Sequence, residues 1–268
     1  INIPKGVDTN EMIIIKNKGN CNQMKRYGDI KVMINVENKT KFNRQGLNLY
    51  YIHELTLKEA LIGFDIEFKH IDGKNYPSIT TVLGIQKTKE LQKWRDSIGN
   101  DVANWEMGRA ARRGKATHTL VEQYLKGETP SERSVLPLGL FRLLKPYVDQ
   151  INNIHALETI MYSKKLTVAG QVDCIAEYNG KLSVIDFKTA NKERQESWIE
   201  NYFLQTCAYS IMYEELYGTK IEQLVILIAG EDGTMVPFIK ERKPYEEKLG
   251  KSIQDFYKYY EEINKDKV

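Results

Sequence analysis

The dipeptide Asn179-Gly180 stands between two strand-like runs, residues 171–178 and 181–189. Asn-Gly in that setting is the strongest short-range signal for a two-residue hairpin, because a type I′ turn needs positive φ at both central residues. A turn there fixes the register: Tyr178 faces Lys181, Glu177 faces Leu182 and, counting back, Asp173 faces Asp186. Directly opposed side chains share a face, with β-carbons about 4.5–5.5 Å apart. Two carboxylates so placed repel each other, and a divalent cation turns the repulsion into coordination; hard Mg²⁺ prefers such oxygen ligands. Lys188, two residues beyond Asp186, falls on the same face by strand periodicity. The D-x-K spacing alone is cheap, since Asp29-Ile30-Lys31 and Asp72-Gly73-Lys74 also fit, and an exposed Asp–Lys pair on a hairpin is ordinary surface. The distinguishing feature is that Val184, Ile185 and Phe187 make the second strand apolar on both faces, as in a central buried strand.

A helical segment, Gly108 to about Leu125, supplies the next candidates. On it His118 shares a face with Gly114, Val121, Glu122 and Leu125, so it points inward. An inward histidine is either a third metal ligand or a hydrogen-bonded core residue. Arg109, Arg112, Arg113 and Lys115 cluster beside it. Such a cluster is either a solvated surface or, next to a cation site, a grip on a phosphate backbone. Downstream, Trp198, Tyr202, Gln205, Tyr209, Met212 and Leu216 recur at helical steps and read as one apolar stripe. The amide of Gln205 within it needs partners, which a core hydrogen bond or the edge of an active site would equally supply.

The remaining chain sets the frame. At 268 residues, with 41% hydrophobic and 28% charged, it is neither disordered nor fibrous. Its longest apolar run, Leu224–Ala229, is of strand length and far short of the roughly 18 residues that cross a bilayer, so no membrane association is expected. The three cysteines form no C-x-x-C pair, which argues against a zinc ribbon and for a reducing compartment. The first ten residues lack the basic start and long apolar centre of a secretory signal. Residues 1–72 hold nine of the eighteen asparagines, with short apolar runs between Asn/Lys/Gly clusters, and read as an accessory region of small strands and turns. From Ser78, a capped short helix is expected, then helices from about Thr88 to Met107, Gly108 to Leu125 and 137 to 153. Strand-like segments follow at Leu157–Ser163, 167–178 and 181–189, a helix at 196–217, strands at Ile221–Ala229 and Met235–Ile239, and a closing helix from about Pro244. This order predicts an α/β fold with a mixed central sheet flanked by helices.

These pieces resemble the PD-(D/E)xK nuclease superfamily in its RecB-type branch. Arg113-Gly114-x-x-x-His118 resembles the helical R-G-x-x-x-H motif and Gly170-x-x-Asp173 the G-x-x-D strand. Asp186-Phe187-Lys188-Thr189 resembles the D-x-K-T strand, and Gln205-x-x-x-Tyr209 the Q-x-x-x-Y helix. Tyr76-Pro77-Ser78-Ile79-Thr80-Thr81-Val82-Leu83 is similar to a segment ahead of the core in mitochondrial genome maintenance exonucleases and related phage nucleases. Taken together the motifs are specific, and they span roughly residues 76 to 240. The resemblance implies a restriction-endonuclease-like core over residues 73–268 behind the accessory region 1–72. It implies a DNA exonuclease dependent on Mg²⁺ or Mn²⁺, acting on single-stranded or flapped DNA in repair or replication. By the same resemblance Asp173, Asp186 and His118 hold the metal with the Phe187 carbonyl, Lys188 is catalytic, and Gln205 and Tyr209 support the lysine or the scissile phosphate. Glu122 and Glu158 are second-tier candidates. Ser78, Thr80, Thr81, Arg112, Arg113, Lys115 and Thr189 would contact DNA. Several relatives carry four cysteines for an iron–sulfur cluster; this chain has no such set, so none is implied. With no helicase motif present, the expected partner besides DNA is a separate helicase or replication or recombination protein. The Lys- and Asn-rich composition favours the cytoplasm of a bacterial or phage-infected cell over a mitochondrion. Two rivals share the same core: a structure-specific or restriction-type endonuclease, and a catalytically silent DNA-binding subunit.

Overall fold

The run Leu224–Ala229 is apolar at every position, which suits only a strand covered on both faces. In the computed structural model it lies at the heart of a five-stranded sheet. The structure describes residues 1–265 apart from 4–6, 22, 24–25, 46–47, 53, 55, 57–73 and 86–87. The chain divides into two compact units, Ile1–Lys74 and Asn75–Val268; the expected boundary at residue 72 lies outside the described residues. The first unit carries two small antiparallel pairs: β1 (Met12–Ile15) with β2 (Ile30–Met33), and β3 (Asn43–Gln45) with β4 (Asn48–Tyr50).

The second unit opens with α1 (Ile79–Gly84), α2 (Thr88–Ile98), α3 (Asn100–Leu125) and α4 (Val135–Val148). The sheet then begins with β5 (Ile151–Ser163), β6 (Val168–Tyr178) and β7 (Lys181–Ala190). A 3₁₀ turn (Glu196–Trp198) and α5 (Glu200–Tyr217) lead to β8 (Gln223–Gly230), β9 (Met235–Glu241) and α6 (Lys243–Lys265). The strand order is β5-β6-β7-β8-β9. All neighbours are antiparallel except β7 and β8, which are parallel and joined across the sheet by α5. A parallel pair needs such a crossover.

Period-2 alternation sorts the side chains into two cores. Val184, Leu224, Ile226 and Ile228 join Phe203, Leu204 and Met212 of α5 on one face. Ile185, Phe187, Val225 and Leu227 join Leu120 of α3 and Leu140 and Leu144 of α4 on the other. Asp186 and Lys188 therefore belong by parity to the α5 face of β7, and Phe187 to the α3 face.

Several sequence expectations are corrected. The break between the second and third helices is at Gly99 (φ 85°), not between Met107 and Gly108, and α3 runs unbroken through Gly108. The positive φ at Gly99 ends one helix, whereas Gly108 is merely tolerated inside the next. The helix expected to reach residue 153 stops at Val148, and the strand expected from Leu157 starts at Ile151, with a register irregularity between Asn152 and Ala156. Ser78 makes no side-chain cap; its hydroxyl lies 2.8 Å from that of Thr80. Nor does α5 bury a single stripe: Phe203, Leu204, Thr206, Cys207, Ala208, Tyr209, Ser210 and Met212 are all buried, while Trp198 and Leu216 at the ends are exposed. Its hydroxyls, Thr206 and Ser210, satisfy themselves on helix carbonyls at 2.7–3.1 Å, which lets polar residues sit in the core.

One glycine controls the approach of α5 to the sheet. A β-carbon at Gly170 would stand 2.7 Å from Tyr209 Cε1, and 3.1 Å from both the Tyr209 hydroxyl and Ile79 Cγ2. Tyr209 and Ile79 are fully enclosed and have no room to retreat. Gly170→Ala is therefore expected to cost about 1–3 kcal/mol through overpacking. The measurement is the urea-unfolding midpoint, and an unchanged midpoint contradicts the packing described.

Candidate active site

The hairpin forms with the expected register. Asn179 and Gly180 have φ of 52° and 73°, as a type I′ turn requires. Pairing runs from Tyr178↔Lys181 to Cys174↔Ile185 and ends there, one step before Asp173 and Asp186. At that step the Phe187 N–H donates to Asp173 Oδ2 at 2.9 Å. A side-chain oxygen takes the donor that the ladder would otherwise use, and β6 and β7 part at this point.

The opened end of the hairpin is buried and charged. Asp186 is 1% exposed. Lys188 Nζ donates to its Oδ1 at 2.6 Å and lies 2.5 Å from Oδ2, yet Oδ2 has no hydrogen-bond partner in suitable geometry. Lys188 Nζ also sits 5.1 Å from the centre of the Tyr202 ring, a cation–π contact from α5. Burial pushes the Asp186 carboxyl up against the pull of Lys188. For Lys188 burial acts downward, but Asp186 and Asp173 outweigh it and hold the ammonium above the ordinary lysine range. The lysine is therefore the firmly charged member of the pair.

His118 reaches the same place from α3. Its Nδ1 lies 3.5 Å from Asp173 Oδ2 and 3.8 Å from Glu158 Oε1. Its ring stands edge-on to Phe187 at 6.3 Å between centroids. Burial lowers its pKa, but the neighbouring carboxylates of Glu158 and Asp173 reverse this and raise it overall. His118, Glu158 and Asp173 each offer one ligand atom, and these atoms lie within 4.8 Å of one another.

Glu158 owes its position to an unusual backbone. It adopts φ 45° inside β5, a left-handed conformation that costs a non-glycine residue roughly 1–2 kcal/mol. Gln171 on β6 holds it, donating from Nε2 to the Glu158 carboxylate at 2.7 Å and to its carbonyl at 3.3 Å. Strain of this kind in a strand persists only where neighbours enforce it. The other second-tier acid, Glu122, is instead paired with Lys126 at 2.6 Å along α3. The residue type of Glu158 was visible in the sequence, but nothing local announces its backbone.

The other candidates sort by their partners. Arg113 is 6% exposed and donates to Thr189 Oγ1 at 3.2 Å, to Asn191 Oδ1 at 2.7 Å and to Glu231. It ties α3 to the end of β7 and to the β8–β9 turn, and Thr189 is its acceptor. Arg112 and Lys115 are exposed on the same helix. Ser78, Thr80 and Thr81 are exposed at the start of α1. Gln205 Nε2 donates to the buried Tyr209 hydroxyl at 3.1 Å, and Gln205 lines a hollow of about 210 Å³ with Thr80, Asn201 and Tyr202.

The donor set fits a hard divalent cation. Carboxylate oxygens and one imidazole converge, and the buried carboxylate of Asp186, ion-paired with Lys188, lies beside them.

Comparison with known proteins gives two separate matches along the chain. Residues 1–93 match the family model of the DnaJ C-terminal domain, a likeness the sequence reading missed. Chaperone protein DnaJ of Borrelia garinii is 33% identical over 92 residues, 34% of this chain and 25% of that protein. Human mitochondrial genome maintenance exonuclease 1 is 30% identical over 174 residues, 59% of this chain and 50% of that one. The chain thus spans about half the length of the exonuclease relatives it matches, and less of the chaperones. A solved structure from Eubacterium rectale overlaps 54% of this chain and 66% of its own at a TM-score of 0.37 and 10% identity, too slight a likeness to carry an argument. The family model of the PD-(D/E)XK nuclease superfamily matches residues 87–266, well over half of the 268 residues and all five of the elements that build the site. The chain belongs to the PD-(D/E)XK nuclease superfamily.

Proposed function

We propose that this chain is a divalent-metal-dependent deoxyribonuclease that digests single-stranded or flapped DNA from an end. The observation that carries the reading is the convergence of His118, Glu158 and Asp173, whose ligand atoms lie within 4.8 Å of one another, beside the buried Asp186–Lys188 ion pair. A fold seeking only stability would replace such a set with apolar side chains, which commonly stabilises.

Asp173, Asp186 and His118 would hold Mg²⁺ or Mn²⁺, with Glu158 adjoining. In a strand, N–H and C=O of one residue point to the same side, so the Phe187 carbonyl faces the gap into which its N–H points, and it would complete the set. When bound, the metal lowers the pKa of a coordinated water and neutralises charge on the phosphate. Lys188, whose Nζ lies 2.6 Å from Asp186 Oδ1, would orient the attacking water and stabilise charge that develops on the phosphoryl oxygens. Tyr202 under its ammonium and the Gln205–Tyr209 pair on α5 hold that donor in place and flank the scissile phosphate. The hydroxyls of Ser78, Thr80 and Thr81 and the cations Arg112 and Lys115 are exposed and would meet neighbouring phosphates. Arg113 and Thr189, bound to each other, act by fixing α3 and hence His118.

End-directed digestion is supported by the exonuclease relatives. A cytoplasmic setting and a separate helicase or replication protein as partner remain part of the proposal; no described helix is long and apolar enough to cross a membrane.

Lys188→Ala and Lys188→Gln are expected to lower cleavage of a single-stranded oligonucleotide by about 10²–10³-fold, the usual loss for a transition-state donor. Oligonucleotide binding and the circular dichroism spectrum should be retained. Undiminished cleavage in a folded variant would remove Lys188 from the mechanism. Linear end-labelled single strands should be degraded and circular ones should survive; cut circles would establish the endonuclease instead. Mn²⁺ should raise the melting temperature by an amount that grows with its concentration, up to about 2.7 kcal/mol of stabilisation at 100 times its Kd. Asp186→Asn should abolish most of that shift, and a shift of full size in the variant argues against a cation at this carboxylate.

A further inference from the structure

Beyond the cation site, α3 carries a second ordered set of side chains. Trp105, Arg109, Arg112, Ala116 and Thr119 repeat at steps of four, three, four and three, so they form one stripe on the helix. A cleft of about 590 Å³ runs beside this stripe, between α3 and the segment that enters α4, and Arg109, Arg112 and Lys115 line it. Two of its cations have work already: Arg109 pairs with Glu231 at 3.4 Å and Arg113 is bound to the same acid. Arg112 and Lys115 have no ion-pair or hydrogen-bond partner among the described residues. At the far end of the stripe Trp105 is 58% exposed, with the Arg109 guanidinium 5.5 Å from its ring centre. The indole is thus largely exposed to water with a cation on its ring.

We propose that this stripe is a lane for single-stranded DNA, in which Arg112 and Lys115 hold backbone phosphates and Trp105 stacks an unpaired base. Charge selects the ligand, because unpaired cations in a cleft next to an acidic metal site call for an anionic chain that crosses both. The exposed aromatic selects the single strand, because a duplex keeps its base faces covered while an unpaired base stacks on any π surface. The helix also sets a ruler. Trp105 lies 13 positions before His118, about 20 Å along the axis at 1.5 Å per residue and about 140° away around it, so a strand that reaches both needs at least about six nucleotides at 3.4 Å each. The proposal rests on the nuclease reading only for where the scissile bond lies; the lane itself is a matter of binding.

The test is therefore a binding measurement made in EDTA, with no cleavage required. Hairpin duplexes with single-stranded overhangs from about two to about ten nucleotides are titrated by fluorescence anisotropy. The wild-type affinity should step up once the overhang is long enough to reach Trp105, at a length of about six nucleotides or more and not below it. Trp105→Ala should remove that step, a loss of about 5- to 150-fold on long overhangs and none on the shortest, and Trp105→Phe should restore most of it. Replacing both Arg112 and Lys115 by Ala should reduce the slope of log K against log salt by about 1.4, two phosphates' worth on a single strand. Equal binding of long overhangs by Trp105→Ala and wild type, or an equal loss at every overhang length, would overturn the lane. Should the protein bind in this pattern and yet cut nothing, the nuclease reading fails and the lane stands.

Discussion

The site is organised by one hydrogen bond, from the Phe187 N–H to Asp173 Oδ2. It closes the β6–β7 ladder with a side chain in place of a backbone carbonyl. Two consequences follow. The strands separate just where Asp186 and Lys188 project, and the carboxylate of Asp173 is fixed within reach of His118. Backbone donors in a sheet interior must be satisfied, so an aspartate at this position can end the pairing without an energetic orphan. An apolar residue there would continue the ladder and leave no gap.

The surrounding sheet makes that gap costly and therefore meaningful. β7 and β8 are covered on both faces, and Asp186 is nearly sealed among them. Removing a carboxylate and an ammonium from water costs several kcal/mol per ion, and their attraction returns only part of it. The rest of the molecule offsets the deficit through extensive apolar burial on either side, with Leu120 and Leu144 below and Phe203 and Met212 above. Strain at Glu158 adds to the same account, held by two hydrogen bonds from Gln171. Stability spent in three adjacent residues is the usual sign of a site selected for chemistry.

The parts of this arrangement differ in how openly the sequence announces them. The hairpin register was legible because Asn179-Gly180 leaves one favourable turn and strand period then fixes the pairs from Tyr178↔Lys181 to Cys174↔Ile185; the expected next pair, Asp173 with Asp186, does not form, because Asp173 accepts from the Phe187 N–H there. The inward face of His118 was legible from helical spacing alone. The backbone of Glu158 was not, because its left-handed conformation within a strand is held by hydrogen bonds from Gln171 on the neighbouring strand, a product of tertiary pairing. Arg113 read as a surface cation because its acceptors, Asn191 and Glu231, are 78 and 118 residues away in sequence. The stripe expected on α5 failed for a similar reason: period locates a buried face, but a helix enclosed on most sides has no polar face to contrast with it. Residues 1–72 stood apart in composition, yet their short strands carry no chemistry-bearing spacing from which the likeness to the DnaJ C-terminal domain could be read.

The glycines and arginine of the family motifs acquire physical reasons here. Gly170 is required because Tyr209 presses against its α-carbon, and that contact brings the Gln205–Tyr209 pair onto the strand that bears Asp173. Arg113 anchors α3 at the β7 terminus one turn and a fraction before His118, so the same helix that supplies the imidazole is pinned to the strand that supplies Asp186 and Lys188. Each motif thus pairs one reactive group with one residue that fixes its element. Two helices and the β6–β7 hairpin meet at one buried site because each brings its own fastening. That coupling explains why the motifs are specific only together: a D-x-K on an unfastened hairpin, such as Asp29-Ile30-Lys31, has neither the burial nor the neighbours to bind a cation.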